Sequence, residues 1–316
     1  MKALYCMSFE KKTEWVNTGT KLVEYQLGET LLTFLCADFA SYERQAEVHR
    51  EFFGREKEAD VLAEEIIHKL SPVHPFLENA LRPACFEDQK LSWLYRKLLG
   101  FHQLQNELAD LVDVVFLPDH RGLTAMQRVC VLQNEHKHIA AQFAALSDSL
   151  RAERRIYVDG REFDPLQERF HAVPEKIESR LIFGSDDLRT VLMTELEEMA
   201  AQNIPVKKCA YCGGYFIPFS SKTVYCDRTV GETRKTCKEL AAKEKYEKKI
   251  ASDEGLSLYQ RRNKTYAMRV SRSPAVYKDT EYQAWKTEAE AAVQRYINGD
   301  LSLEALEFVL ELPKRR

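Results

Sequence analysis

The stretch "KKCAYCGGYFIPFSSKTVYCDRTVGETRKTCKELAAKEKYEKK", residues 207–249, decides how this chain is read. It holds Cys209, Cys212, Cys226 and Cys237, half of the chain's eight cysteines, in the pattern C-x2-C-x13-C-x10-C. Two residues between the first pair let one metal ion take both thiolates. The glycine after Cys212 can adopt positive φ and turn backbone amides toward sulfur. "GYFIPF", "SSK" and "TVYC" read as strand, turn and strand, returning the chain to Cys226. Cys237 falls in the first turn of the next helix. A knuckle, a hairpin and a ligand-bearing helix predict a treble-clef-like zinc finger.

All eight histidines lie at or before His171, so this segment has only thiolates to offer. Four thiolates close a tetrahedral site and leave no position for a reacting water. Softness favours zinc, with an iron–sulfur centre as the rival. The expected cofactor is therefore structural zinc, supplying the folding energy of a segment poor in apolar residues. Tyr211, Tyr215, Phe216, Phe219 and Tyr225 are expected to pack around the site; stacking on bases is the alternative use of such rings.

Outward from the finger, charge segregates. Residues 206–316 carry 22 Lys and Arg against 15 Asp and Glu, leaving residues 1–205 with 24 against 34. The helix expected from Thr233 to Ile250 gathers Arg234, Lys238, Lys245, Lys248 and Lys249 on one side, with Leu240, Tyr246 and Ile250 opposite. The next, Leu256 to Ser271, groups Arg261, Arg262, Arg269 and, just beyond it, Arg272. Two basic faces beside a zinc finger are the electrostatic footprint of a nucleic-acid binder, DNA or RNA. A finger docked on its own acidic domain or on another protein would look similar.

The first 205 residues read mostly as helices. Apolar residues recur at helical steps over Glu58–Leu70, Leu91–Phe116 and Leu123–Leu150. A short β-hairpin is expected near 156–163, around Asp159-Gly160. A helix with Ser185 as N-cap runs toward Pro205. Helices from Glu281 to Ile297 and after Ser302 or Asp300 end the chain. The expected fold class is mainly α: an acidic helical domain over 1–205, the finger and its helix over 206–252, and a basic-to-mixed helical tail over 253–316.

Other classes fit less well. The apolar runs are too short to span a bilayer or to act as a secretory signal, so a cytoplasmic location with no membrane partner is expected. Scattered Cys6, Cys36, Cys85 and Cys130 suit a reducing compartment. "NEHKH" (134–138) and "PDH" (118–120) are weak ligand signals. "RQAEVH", with Arg44 and His49, has a form used by some helical RNases, but the pattern is short. The chain is expected to be non-enzymatic.

The blocks "VKKCAYCGGYF", "YCDR", "KTCKELAAKEKY" and "YQRRNKTYAMRV" resemble an uncharacterised bacterial family of unknown function from about Ser185 onward. More remotely, the layout is similar to CGNR-type zinc-finger proteins, regarded as stress-linked transcriptional regulators. That resemblance implies metal ligation by Cys209, Cys212, Cys226 and Cys237. It does not carry over a DNA-reading role: "CKELA" stands where that family has Cys-Gly-Asn-Arg-Ala, and Cys226 and Cys237 are further apart.

Overall fold

The structure is a computed structural model that describes residues 5–17, 22–52, 56–81, 90–117, 122–158, 161–163, 176–231 and 234–313. The chain divides into two compact units, Met1–Cys226 and Asp227–Arg316. The change of composition near Pro205 precedes that division by some twenty residues of finger sequence.

The first unit is more than helices. It opens with a meander, β1 (Tyr5–Glu10), β2 (Thr13–Asn17) and β3 (Leu22–Gln26). β4 (Arg151–Val158), β5 (Arg161–Glu162) and β6 (Ile177–Ser185) complete a six-stranded antiparallel sheet in the order β3-β2-β1-β6-β4-β5. The mainly-α expectation therefore holds for the helices and misses this sheet. Period-two alternation explains the strands. Tyr5 and Met7 point into the main core with Val16, while Cys6 joins Tyr157 and Ile182 on the other face. The sheet curls strongly: Asn17 on β2 donates to Glu162 on β5, at 3.2 Å, although three strands lie between them in the order. Tyr157 and Val158 pair with Glu162 and Arg161, which leaves Asp159-Gly160 as the linking pair, outside the described residues. "PDH" and Cys85 also lie outside them.

Seven α-helices longer than one turn pack on this sheet and on each other among the described residues. They are α1 (Glu29–Leu35), α2 (Phe39–Phe52), α3 (Glu56–Leu70), α5 (Lys90–Phe116), α6 (Ala125–Glu135), α7 (Lys137–Ser149) and α8 (Leu188–Ala201), with a single turn, α4 (Leu77–Ala80), between α3 and α5. The α5 stripe of Leu91, Leu94, Leu98, Phe101, Leu104, Leu108, Leu111, Val112 and Val115 is buried, as its spacing predicts. The helix expected over 123–150 breaks in two, because His136 takes an extended conformation (φ −126°, ψ 96°). His136 and His138 thus do not share a helix. Ser185 ends β6 rather than capping α8; Asp187 is the cap, accepting from the amides of Arg189 and Thr190.

The N-terminus of α1 is held by two carboxylates from far along the chain. Glu14 accepts from the amides of Gly28 and Thr30, both at 3.0 Å. Glu195 on α8 accepts from the Leu31 amide at 2.8 Å and the Thr30 hydroxyl at 2.6 Å. Both glutamates are fully buried. Burial raises the pKa of each, most of all Glu195, which also faces the Glu14 charge. Burial and the mutual repulsion of the two carboxylates therefore favour a neutral form, above all at Glu195. Gly28 sits at φ 93° against Met199, so a side chain there would be strained and crowded.

The second unit is a helical cluster: α9 (Cys237–Ala251), α10 (Glu254–Arg272), α11 (Asp279–Ile297) and α12 (Leu303–Val309). Thr236, Asp253 and Ser302 cap α9, α10 and α12. Thr236 and Glu239 form a full capping box, which starts α9 four residues later than the sequence suggested. Leu258, Ala289, Ala292, Val293, Leu306 and Leu310 form this unit's core.

Candidate metal centre and basic surface

The metal site is built from the knuckle upward. β7 (Lys207–Lys208) pairs with β8 (Tyr215–Phe216) across the Cys209–Cys212 turn. Gly213, at φ 73°, closes that turn with its amide on the Cys209 carbonyl at 2.9 Å. The second half of the expected hairpin forms no strand. Instead the Ala210 amide donates to the Val224 carbonyl at 2.9 Å, which brings Cys226 beside Cys209. The Cys226 amide then donates to Cys209 Sγ at 3.3 Å. The loop after Cys226 closes through a bridge between Thr229 and Thr236, delivering Cys237 as the first residue of α9.

The sulfurs of Cys209, Cys212, Cys226 and Cys237 all lie within 4.8 Å of one another. Cys209, Cys226 and Cys237 are buried and Cys212 is exposed. A tetrahedron with metal–sulfur bonds of about 2.3 Å has edges of about 3.8 Å, and Cys212 and Cys226 stand 3.7 Å apart. Burial opposes ionisation of Cys209, but amides of Cys212, Cys226 and Tyr211 outweigh it and hold the thiol down at about 6. Cys237 sits at a helix N-terminus, where the dipole favours a thiolate. The four side chains can hold one metal ion, and their donor set suits a soft, tetrahedral one.

The knuckle is rooted in the first unit. Tyr215 is buried in the main core, and its hydroxyl donates to Asp113 Oδ1 on α5 at 2.6 Å. Lys208 pairs with the other oxygen of Asp113 at 2.7 Å and lies over the Tyr215 ring. Burial and the Asp113 charge raise the Tyr215 pKa, so the phenol stays a donor. Nothing in the sequence pairs 113 with 215; the contact follows from packing. The expectation for the rings holds for Tyr215 and Phe216 and fails for two others: Tyr211 is 38% exposed and Phe219 is 99% exposed.

The predicted basic residues separate into groups. Arg234 is exposed but precedes α9. Lys238, Lys245 and Lys249 form one exposed stripe within about 40° of helix arc. They make no ion pair among the described residues, whereas Lys248 pairs with Glu244 at 2.7 Å. Tyr246, expected opposite the lysines on the packed side, is 59% exposed; α9 buries only Cys237, Ala241 and Ile250. On α10, Arg261 and Arg272 are exposed. Arg262 and Arg269 are half-buried and line a depression with Glu304, Glu307 and Glu311. Arg269 also donates to the Pro313 carbonyl at 3.4 Å. Arg269 is thus engaged within its own unit, whereas Arg262 makes no ion pair among the described residues and its Nε is buried without a hydrogen-bond partner. Arg44 and His49 lie on α2 about 140° apart around the helix axis, which does not converge them on one substrate.

Residues 177–307 match a family profile described as "Family of unknown function (DUF6076)". The match covers the four cysteines, α8, α9, α10 and α11. No curated protein and no solved structure matches the chain, and no likeness to the CGNR-type proteins emerges. Among the described residues, no helix is long and apolar enough to cross a membrane.

Proposed function

We propose that this chain is a nucleic-acid-binding protein in which Cys209, Cys212, Cys226 and Cys237 hold a structural zinc ion. The observation that carries the reading is the stripe of Lys238, Lys245 and Lys249, exposed and without ion pairs among the described residues, on the helix whose first residue is a metal ligand. Unpaired ammonium groups at a helix surface release counterions when they meet phosphates, and that release drives binding. Arg234, Arg261 and Arg272 extend the basic surface, while Arg262 and Arg269 face Glu304, Glu307 and Glu311 and contribute less. A closed set of four thiolates gives zinc no open coordination position, so its role is scaffold. The protein works in the cytoplasm on this reading, and regulation of transcription is one use of such binding.

A docking role for proteins is the second reading. It is favoured by the interleaved Glu239, Glu244 and Glu247, which reduce α9 to five lysines against three glutamates. Fluorescence anisotropy of the zinc-loaded protein with duplex DNA, single-stranded DNA and RNA, over a salt series, separates the two. Lys238→Glu with Lys245→Glu lowers the magnitude of the duplex log–log salt slope by about 0.9 per lysine. A folded double mutant with unchanged affinity and slope removes the basic stripe from the interface. Absence of binding to every polymer at low salt removes the reading itself.

A further inference from the structure

Phe219 is 99% exposed, an unusual place for a phenylalanine. Its backbone is not loose. The next four residues form a tight turn, with the Thr223 amide on the Ser220 carbonyl at 3.0 Å and the Ser220 amide on Thr223 Oγ1 at 3.2 Å. The two hydroxyls stand 3.1 Å apart. Lys207 Nζ donates to the carbonyls of Ser221, at 2.5 Å, and Thr223, at 3.1 Å. Pro218, buried, fixes the backbone on the other side. Seven residues after the second metal ligand, the chain thus displays one aromatic ring on a fastened backbone.

A ring presented this way loses little freedom on binding, so most of its burial energy reaches the complex. The surroundings indicate the partner. Ser220, Ser221 and Lys222, all exposed, follow the ring directly. An aromatic anchor for a protein pocket is normally ringed by further contacts that exclude water. Hydroxyls and an ammonium beside a single ring suit a base with its sugar and phosphate. We propose that Phe219 stacks on an unpaired nucleobase, making single-stranded nucleic acid, or an unpaired region of a folded one, the ligand of the finger. This inference rests on the nucleic-acid reading above and narrows its substrate class. Bases within a duplex already stack on each other, so the ring needs one that is free.

The test uses the full-length, zinc-loaded protein and fluorescent single-stranded DNA, single-stranded RNA and duplex DNA of the same length. Phe219→Leu keeps an apolar side chain without the π face; Phe219→Trp keeps the face. The expected result is a loss of about five- to 150-fold in single-strand affinity for Phe219→Leu, little change on duplex, an unchanged salt slope, and binding retained by Phe219→Trp. The single-stranded DNA and RNA arms tell which sugar the finger prefers. Because the side chain is exposed, metal content and circular dichroism of both variants should match the wild type. Wild-type single-strand affinity in Phe219→Leu overturns the stacking role while leaving the nucleic-acid reading intact. An equal loss on duplex also overturns it. No binding by the wild type to any polymer overturns both.

Discussion

Replacing Glu195 probes the buried carboxylate pair that holds α1 in place. Glu195→Ala removes the acceptor for the Thr30 hydroxyl and the Leu31 amide, both buried. Each stranded donor costs about 1–3 kcal/mol. The substitution should therefore destabilise the first unit by roughly 2–6 kcal/mol, a large part of a typical domain's total of about 5–15 kcal/mol. Glu195→Gln behaves differently. Its amide oxygen can accept from Leu31, and its amide nitrogen can donate to the Thr30 hydroxyl, which rotates to suit. It also abolishes the carboxyl whose pKa burial raises. The sign follows from linkage. A carboxyl with a raised folded pKa contributes fully below its unfolded value, and the contribution fades as pH rises through the folded value. Wild type should lose stability relative to Glu195→Gln as pH rises above the ordinary carboxyl value of 4.5. Urea unfolding of the two proteins, with metal content fixed, measures this difference directly, and other titrating groups cancel in it. Parallel stability–pH profiles for the two proteins would refute the raised pKa of the buried carboxyl.

Four further outcomes are expected. His74 is fully buried, and burial lowers its pKa to about 3; it takes up its proton only on unfolding, so stability should fall as pH drops below about 6.5, and His74→Leu should flatten that acid limb in the same urea experiment. Tyr215→Phe removes the bond to Asp113 and should cost about 1.5 kcal/mol, with a double-mutant cycle against Asp113→Asn showing the coupling; additive effects would mean that the bond contributes nothing. Cys237→Ser should abolish stoichiometric metal in the purified protein by elemental analysis, since three thiolates leave the site open. Gly28→Ala should lower stability by about 1–3 kcal/mol, because its backbone is left-handed and Met199 fills the space a Cβ needs.

The parts legible in the sequence are those set by local rules. Cys209, Cys212, Cys226 and Cys237 converge as their spacing implied, and Ser302, one of two caps read for the last helix beside Asp300, is the cap. Helix α5 buries the stripe its apolar period marks, and α9, α10 and α11 form where helices were expected. The meander β1–β3 was missed although Tyr5–Glu10 alternates cleanly and Lys11-Lys12 marks a turn; only two or three core positions per strand show against helical neighbours. Strand β6 was missed because Leu181, Ile182 and Phe183 run together instead of alternating with polar residues. The Glu14–Glu195 pair and the Asp113–Tyr215 bond lie 181 and 102 residues apart, and no single-sequence pattern links such positions. Phe219 departed from expectation for the opposite reason: composition alone says that rings go inside, and here the fastened turn holds one out.

The position of β6 bears on what can be cut from this protein. The family match begins at Ile177, the first residue of β6. That strand lies between β1 and β4, so both of its hydrogen-bonding edges are satisfied by segments that precede the match. α8, which follows, likewise packs on β1 and meets Thr30 and Leu31 through Glu195. A recurring stretch of sequence is thus not a self-sufficient folding unit. An excised 177–307 polypeptide would carry a strand with two bare edges and a buried glutamate with no counterpart. Such a fragment should self-associate, and biochemical work on the finger needs the preceding residues in the same chain.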